Sequence, residues 1–286
     1  MSPPYGAKRA LLHFLSRRVD PELEAAFAAL PNRLNDLGFD MWGFNPAEAA
    51  RYYPLARSLY DYFRTEIHGV ENLPAGRVLL VPNHGGQLPL DGIVIAVACL
   101  RHGAPPRLVR PMVERWFPKL PYVNEALARS GAVLGDPVNC INLLEDDQAI
   151  LVFPEGIAGS GKTIRERYRL KPFGRGFMRL ALRTNTPVVP VSVIGSEEAI
   201  PSVHNLAPLA KLLHMPYFPV SPFVPLLGPF AYLPLPVKFT VTFGEPMRFD
   251  GPWDDEDAAI DDKAAVVQAE VQRMVDDGLR ARHSIF

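Results

Sequence analysis

The chain has 286 residues, 48% of them apolar and 21% charged, with a formal net charge of −1 at pH 7. That length and balance fit one folded α/β domain with at most a small appendage, exclude intrinsic disorder, and leave no global charge for nucleic-acid binding. Its two cysteines, Cys99 and Cys140, stand among apolar or small residues without metal-type spacing, and read as core residues in a reducing compartment.

Met1 to Arg9 leads into no signal-peptide core, and no run reaches the roughly 18 uninterrupted apolar residues of a spanning helix. The expectation is a cytoplasmic protein, soluble or held peripherally at a membrane. Asp20-Pro21 and Asn45-Pro46 each set a capping side chain before a proline, whose missing N–H is harmless at a first helical position. The second of these helices, about 46–66, carries Leu55, Leu59, Tyr62 and Phe63 at helical spacing against Arg51, Arg57 and Arg64. Two readings stay open for it: packing on the main domain, or lying in a membrane interface.

From Arg77 onward, short apolar runs alternate with helical stretches. Val78–Pro82, Ala149–Phe153, Val188–Ile194 and Lys238–Phe243 read as strands, and 91–102, 139–147 and 174–185 as helices. This alternation predicts an α/β fold, a mostly parallel sheet flanked by helices. An N-terminal helical segment over 1–67, with a docking role at a membrane open to it, precedes an α/β domain over 68–286 that includes the last helix. A last helix, Asp255 to Arg282, is acidic in its first turns and ends on Arg280 and Arg282, as its dipole prefers. Residues 215–237 are apolar yet interrupted by proline every few positions, which forbids a helix or an interior strand. They predict an irregular loop, folded on the core or buried in an acyl chain or bilayer.

Three constellations carry chemistry. Asn83-His84-Gly85-Gly86 follows the first strand, and a histidine at a strand's carboxyl end lies where α/β sheets bind ligands. With an ordinary pKa of about 6.5, its neutral ring can take a proton from a hydroxyl. Asp91, across the turn, could hold the other ring nitrogen or cap the following helix. Phe153-Pro154-Glu155-Gly156 sets a carboxylate at a second strand end. Gly156 to Thr163 spells the phosphate-loop pattern Gly-x4-Gly-Lys-Thr. A phosphate loop must open a helix, however, and here a basic stretch with Pro172 and two glycines follows. Lys162, Arg165, Arg167, Arg169, Lys171 and Arg175 read as a cluster for substrate phosphate or lipid headgroups, or as a solvated basic loop.

Together these residues resemble the glycerophospholipid acyltransferase family, which includes lysophosphatidic acid and glycerol-phosphate acyltransferases. The likeness runs over about residues 68–250: Asn83-His84 with Asp91, Phe153 to Gly156, Gly161-Lys162, Phe173-Gly174-Arg175-Gly176, Val188 to Val191 and Phe243 to Pro246. Three departures stand out. Six residues, not the family's four, separate His84 from Asp91; Gly131 to Pro137 lacks the second motif's Phe and Arg; and Ile157-Ala158 replaces Thr-Arg after the Glu-Gly.

The resemblance implies acyl transfer from acyl-CoA or acyl carrier protein, as co-substrate rather than cofactor, to a lipid hydroxyl at a membrane surface. No metal, resident cofactor or nucleic acid is implied. His84 would be the base and Asp91 its orienting partner. Glu155, Gly156, Lys162, Arg165, Arg167 and Arg175 would bind the acceptor, and Pro190 would shape the pocket floor. The missing arginines leave two acceptors open, lysophosphatidic acid and a neutral lipid such as diacylglycerol or an alcohol. A nucleotide-dependent kinase using the Gly-Lys-Thr loop and a non-catalytic lipid-binding protein are more distant alternatives.

Overall fold

The computed structural model describes residues 21–30, 34–114, 123–212 and 217–286. Met1 to Arg9, Asp20, and Met215 and Pro216 of the apolar segment lie outside the described residues.

The strands are β1 (Glu66–His68), β2 (Val78–Pro82), β3 (Val109–Val113), β4 (Val133–Leu134), β5 (Ala149–Leu151) and β6 (Val188–Ile194). A small ribbon of β7 (His204–Asn205) and β8 (Pro219–Val220) precedes β9 (Thr240–Phe243). The helices are α1 (Pro21–Ala28), α2 (Pro46–Tyr62), α3 (Leu90–His102), α4 (Val123–Arg129), α5 (Pro137–Glu145) and α6 (Gly156–Ser160). They continue with α7 (Gly176–Thr184), α8 (Ser196–Ala199), α9 (Ala207–Leu212), α10 (Val224–Leu227) and α11 (Asp257–Ala281).

Seven strands form one sheet in the order β1-β9-β6-β2-β5-β3-β4. The apolar runs are its centre: β2, β5 and β6 are buried at every position, as strands covered on both faces must be. β2 pairs in parallel with both neighbours, Leu80 standing opposite Leu151 and Val189. β3 and β4 extend the parallel array, whereas β9 runs antiparallel to β6 and carries β1 along its outer edge.

Strand alternation sorts the core into two layers. Val78, Leu80, Val189, Val191 and Val241 meet α2 and α3 on one face, while Leu79, Val81, Ile150 and Val188 meet α5, α7 and α11 on the other. Burying each of these side chains contributes about 1.5–3 kcal/mol. Cys99 and Cys140 are both buried, one in each layer.

Several elements differ from expectation for local reasons. Helix α2 ends at Tyr62, not 66, because Arg64 turns into the left-handed region at φ 45° and the chain enters β1. Its buried side carries Ala49, Tyr53, Ala56, Tyr60 and Phe63, with Leu55 left exposed. Phe63 stacks on Phe239 at a centroid distance of 4.2 Å, so this helix packs on the main domain. Helix α5 opens two residues early because Asp136 caps it, accepting from the Val138 N–H at 3.0 Å before Pro137. The apolar segment is not wholly irregular. It holds β8, α10 and a 3-10 turn over Gly228–Tyr232, each helical piece carrying its proline in the first turn, where no hydrogen bond is lost.

Candidate active site

Where β2 ends, Asn83 is fully buried and clamps the outgoing chain to β6. Its Oδ1 accepts from the Val193 N–H at 2.7 Å and its Nδ2 donates to the Val193 carbonyl at 3.0 Å. His84 follows, with its Nδ1 2.7 Å from Asp91 Oδ2. The longer spacing is absorbed by a turn through Gly86 at φ 86°, where a Cβ would stand 2.5 Å from the Ser196 carbonyl. Asp91 is not the cap of α3; Pro89 holds that position, and Asp91 lies in the first turn. Its carboxylate also accepts from the N–H groups of Gly85, at 3.1 Å, and Gly92, at 2.8 Å. The Asp91 side chain is wholly buried, and that of His84 is 14% exposed.

Burial works against a proton on His84, but the charge of Asp91 and its hydrogen bond outweigh it, raising the histidine above its ordinary value. With the carboxylate accepting at Nδ1, the neutral ring carries its proton there and turns Nε2, a lone-pair acceptor, away from Asp91. The Phe153 ring lies 4.1 Å from the imidazole, centroid to centroid, and limits its tilt. Helix α6 approaches so closely that a Cβ on Gly159 would stand 2.9 Å from the His84 Cβ and 2.6 Å from the Glu155 Cβ.

Beneath the histidine lies a buried ionic network. Glu155 Oε1 accepts from the His84 backbone N–H at 2.7 Å, and its Oε2 from the Lys171 N–H at 2.7 Å. The Lys162 ammonium lies 3.2 Å from Glu155 and 2.9 Å from Glu197, whose other oxygen accepts from the Tyr168 N–H at 2.8 Å. The three side chains are at most 3% exposed. Burial pushes the Glu197 carboxyl upward, against the pull of Lys162. Glu155 and Lys162 therefore face each other inside the protein, where they hold the His84 turn.

The remaining sequence-selected residues are dispersed. Gly156 has φ 54° with open space where a Cβ would be, and its N–H closes a turn on the Phe153 carbonyl at 2.9 Å. Arg165 and Arg167 are exposed, with no ion pair among the described residues. Arg175 is bound to Asp257 and Asp261 of α11, both at 2.5 Å. Pro190 is buried in β6 opposite Val81, where a Cβ on Gly244 would stand 2.8 Å from its ring. The Gly-Lys-Thr stretch follows a one-turn helix instead of opening one, and its lysine lies between carboxylates, so it makes no phosphate cradle. An open cleft of about 360 Å³ adjoins the loop, lined by Ile157, Ala158, Lys171, Asn205 and Tyr217 among others. The Tyr217 hydroxyl donates to the Gln87 carbonyl at 3.3 Å, within the turn joining His84 to Asp91.

Sequence reasoning passed over Glu197, Gly159 and the clamping role of Asn83. Glu197 follows β6 as Glu155 follows β5, so the strand-end rule that selected Glu155 applies to it equally. Gly159 is constrained from two sides, by Glu155 four residues earlier and by His84, which lies far away in the chain.

The acyltransferase family model matches residues 64–194. An uncharacterized protein of Mycobacterium tuberculosis is 41% identical over 232 residues, covering 79% of this chain and 65% of that protein. A protein of Gallus gallus, named DGAT1/2-independent enzyme synthesizing storage lipids, is 25% identical over 202 residues, covering 70% of this chain and 57% of that protein. The matched part thus spans less than two thirds of either relative. In three dimensions the chain is similar to the crystal structure of the 1-acyl-sn-glycerophosphate (LPA) acyltransferase PlsC from Thermotoga maritima. The TM-score is 0.54 at 17% identity, over 96% of this chain and 95% of the other, a likeness of fold.

Proposed function

We propose, from the match of residues 64–194 to the acyltransferase family model and from the buried His84–Asp91 pair, that this chain transfers a fatty acyl group to the hydroxyl of a glycerolipid at a membrane surface. The donor is an acyl thioester, acyl-CoA or acyl carrier protein, and the acceptor lysophosphatidic acid. The observation that carries the reading is the 2.7 Å His84–Asp91 bond, formed despite the lengthened turn.

In this mechanism the neutral His84 takes the acceptor's hydroxyl proton on Nε2 as the oxygen attacks the thioester carbonyl. Asp91 keeps the other ring proton in place and stabilises the imidazolium. The tetrahedral intermediate places its negative charge on the former carbonyl oxygen, where backbone N–H groups of the turns can meet it. Collapse breaks the carbon–sulfur bond; the leaving thiolate takes the proton from His84, and the ester and a free thiol remain. Glu155, Lys162 and Glu197 keep the turn in register, and Arg165 and Arg167 offer cations to an acceptor phosphate.

A second reading, a neutral-lipid acceptor, is favoured by the absence of arginine from Gly131–Pro137 and after Gly156, and by the engagement of Arg175 with α11. The avian relative's name, synthesizing storage lipids, accords with it. Mass spectrometry of products formed from acyl-CoA and a mixture of lysophosphatidic acid, glycerol phosphate and diacylglycerol separates the two. A new phosphatidic acid peak is expected. Triacylglycerol alone would select the second reading, and free fatty acid alone would reject both.

A further inference from the structure

The segment after β8 presents an apolar surface that the domain does not cover. Leu226 is 83% exposed, Phe230 69% and Leu233 63%, with Phe223 and Leu227 partly exposed beside them. Monomeric proteins seldom leave large apolar residues clustered in solvent without a use for them. The segment is nonetheless anchored. Ala231 is buried, the Tyr232 hydroxyl donates to the Pro219 carbonyl at 2.8 Å, and the Leu235 N–H donates to the Ala199 carbonyl at 2.7 Å. From α2, the Tyr62 hydroxyl donates to the Pro234 carbonyl at 2.8 Å. The apolar side chains are thus presented outward from a fixed base.

Charge identifies what they meet. From Ala199 to Gly244 the sequence contains no aspartate or glutamate, while Lys211 and His204 lie on the same stretch. A stretch free of carboxylates approaches an anionic lipid surface without repulsion, and Lys211, exposed on the helix before the crest, adds attraction. Location agrees, because the same stretch supplies Asn205, Ala207 and Tyr217 to the cleft beside the His84 turn. Resting on the reading of a lipid acceptor, we propose that residues 223–233 insert into the outer layer of an anionic bilayer and hold the cleft against it.

The test reads insertion at one position in the full chain. Phe230→Cys is labelled with an environment-sensitive fluorophore. Cys99 and Cys140 are buried, with thiols pushed up to about 12 and about 11, and do not compete for label. On mixing with phosphatidylcholine–phosphatidylglycerol vesicles, emission should shift to the blue and be quenched by bromine-labelled lipid. The same label on Val266→Cys, exposed on α11, should not respond. No response at position 230, or equal responses at both, would overturn the proposal.

Leu226→Glu with Phe230→Glu should lower vesicle affinity on the order of tenfold or more. Turnover of a water-soluble short-chain thioester and acceptor should stay at the wild-type level. Unchanged vesicle affinity would also overturn the proposal. Insertion without acyl transfer by the wild-type protein would leave the docking proposal standing and remove the catalytic one; transfer without insertion would do the reverse.

Discussion

The His84 turn and the 223–233 crest are both short connecting segments outside the regular sheet, and they are ordered in opposite ways. The turn is held by polar contacts: Asn83 clamps its start, Glu155 takes its backbone N–H, and Asp91 accepts three hydrogen bonds at its end. The crest is held only at its base, and its largest side chains touch little. The contrast shows how to read function in a loop. Where the polar contacts at both ends of a turn fix a ring in place, its uncommitted nitrogen, here His84 Nε2, is offered to chemistry. Where apolar atoms are left uncommitted, the surface itself is offered to a partner.

The largest effect should come from the uncommitted nitrogen. His84→Ala should lower kcat/KM for acyl transfer by about 10²- to 10⁴-fold in a protein that stays folded at the assay temperature. Thioester release by the purified variant at the wild-type rate would remove the base from the mechanism. The supporting network should instead show itself in stability. Lys162→Met would leave Glu155 and Glu197 facing each other without a cation, at a cost of about 3–5 kcal/mol in denaturant unfolding. Glu197→Gln should cost less, because burial already pushes that carboxyl toward its neutral form. If the two variants unfold alike, the network is not what holds the turn.

The same contrast explains what could be read in advance. β2, β5 and β6 are continuous apolar runs, and the sheet's centre was legible from them alone. β1 is Glu-Ile-His and β4 has two residues, too short for any periodicity; they are strands only because β9 and β3 lie beside them. β3 includes Arg110 and Pro111, an unpromising strand until Arg110 is seen buried beside Asp40 and the Phe44 ring. His84 and Asp91 announced themselves through chemistry and a nearby turn. Lys162 stands before a basic stretch in the sequence, whereas in the fold it lies between Glu155, seven residues earlier after β5, and Glu197, which follows β6. Arg175 likewise finds its acidic partners on the last helix. Local sequence shows which charges exist; only the fold shows which are already paired.

Asp91→Asn sharpens the account of the turn through pH. Burial lowers and Asp91 raises the His84 pKa, with a net rise above the ordinary value. Catalysis by the neutral ring should therefore increase with pH through a midpoint above about 6.5, and the asparagine variant should move that midpoint downward. The linkage to stability has the opposite sense. A histidine raised in the folded state contributes stability that is complete below its unfolded pKa and is lost as pH rises through the folded value. Unfolding of wild type and Asp91→Asn should therefore differ more at pH 5.5 than at pH 8.5. An acid limb that does not move would mean that the rate-limiting proton is carried elsewhere.

The smallest effect concerns the cations left over once the network and α11 have taken theirs. Lys162 is enclosed by carboxylates, Lys171 is paired with Glu166 and Arg175 is bound to Asp257 and Asp261, which leaves Arg165, Arg167 and Arg169 exposed, and the first two provide the test. Their side chains are solvated, so screening limits what each can add to phosphate binding. Arg165→Gln with Arg167→Gln should raise KM for lysophosphatidic acid about three- to tenfold, with kcat and the melting temperature unchanged. The effect should shrink as salt is added and be absent for diacylglycerol. Equal loss with both acceptors would assign these arginines to the acyl donor or the membrane surface, since only a contact with the acceptor's phosphate distinguishes the two lipids.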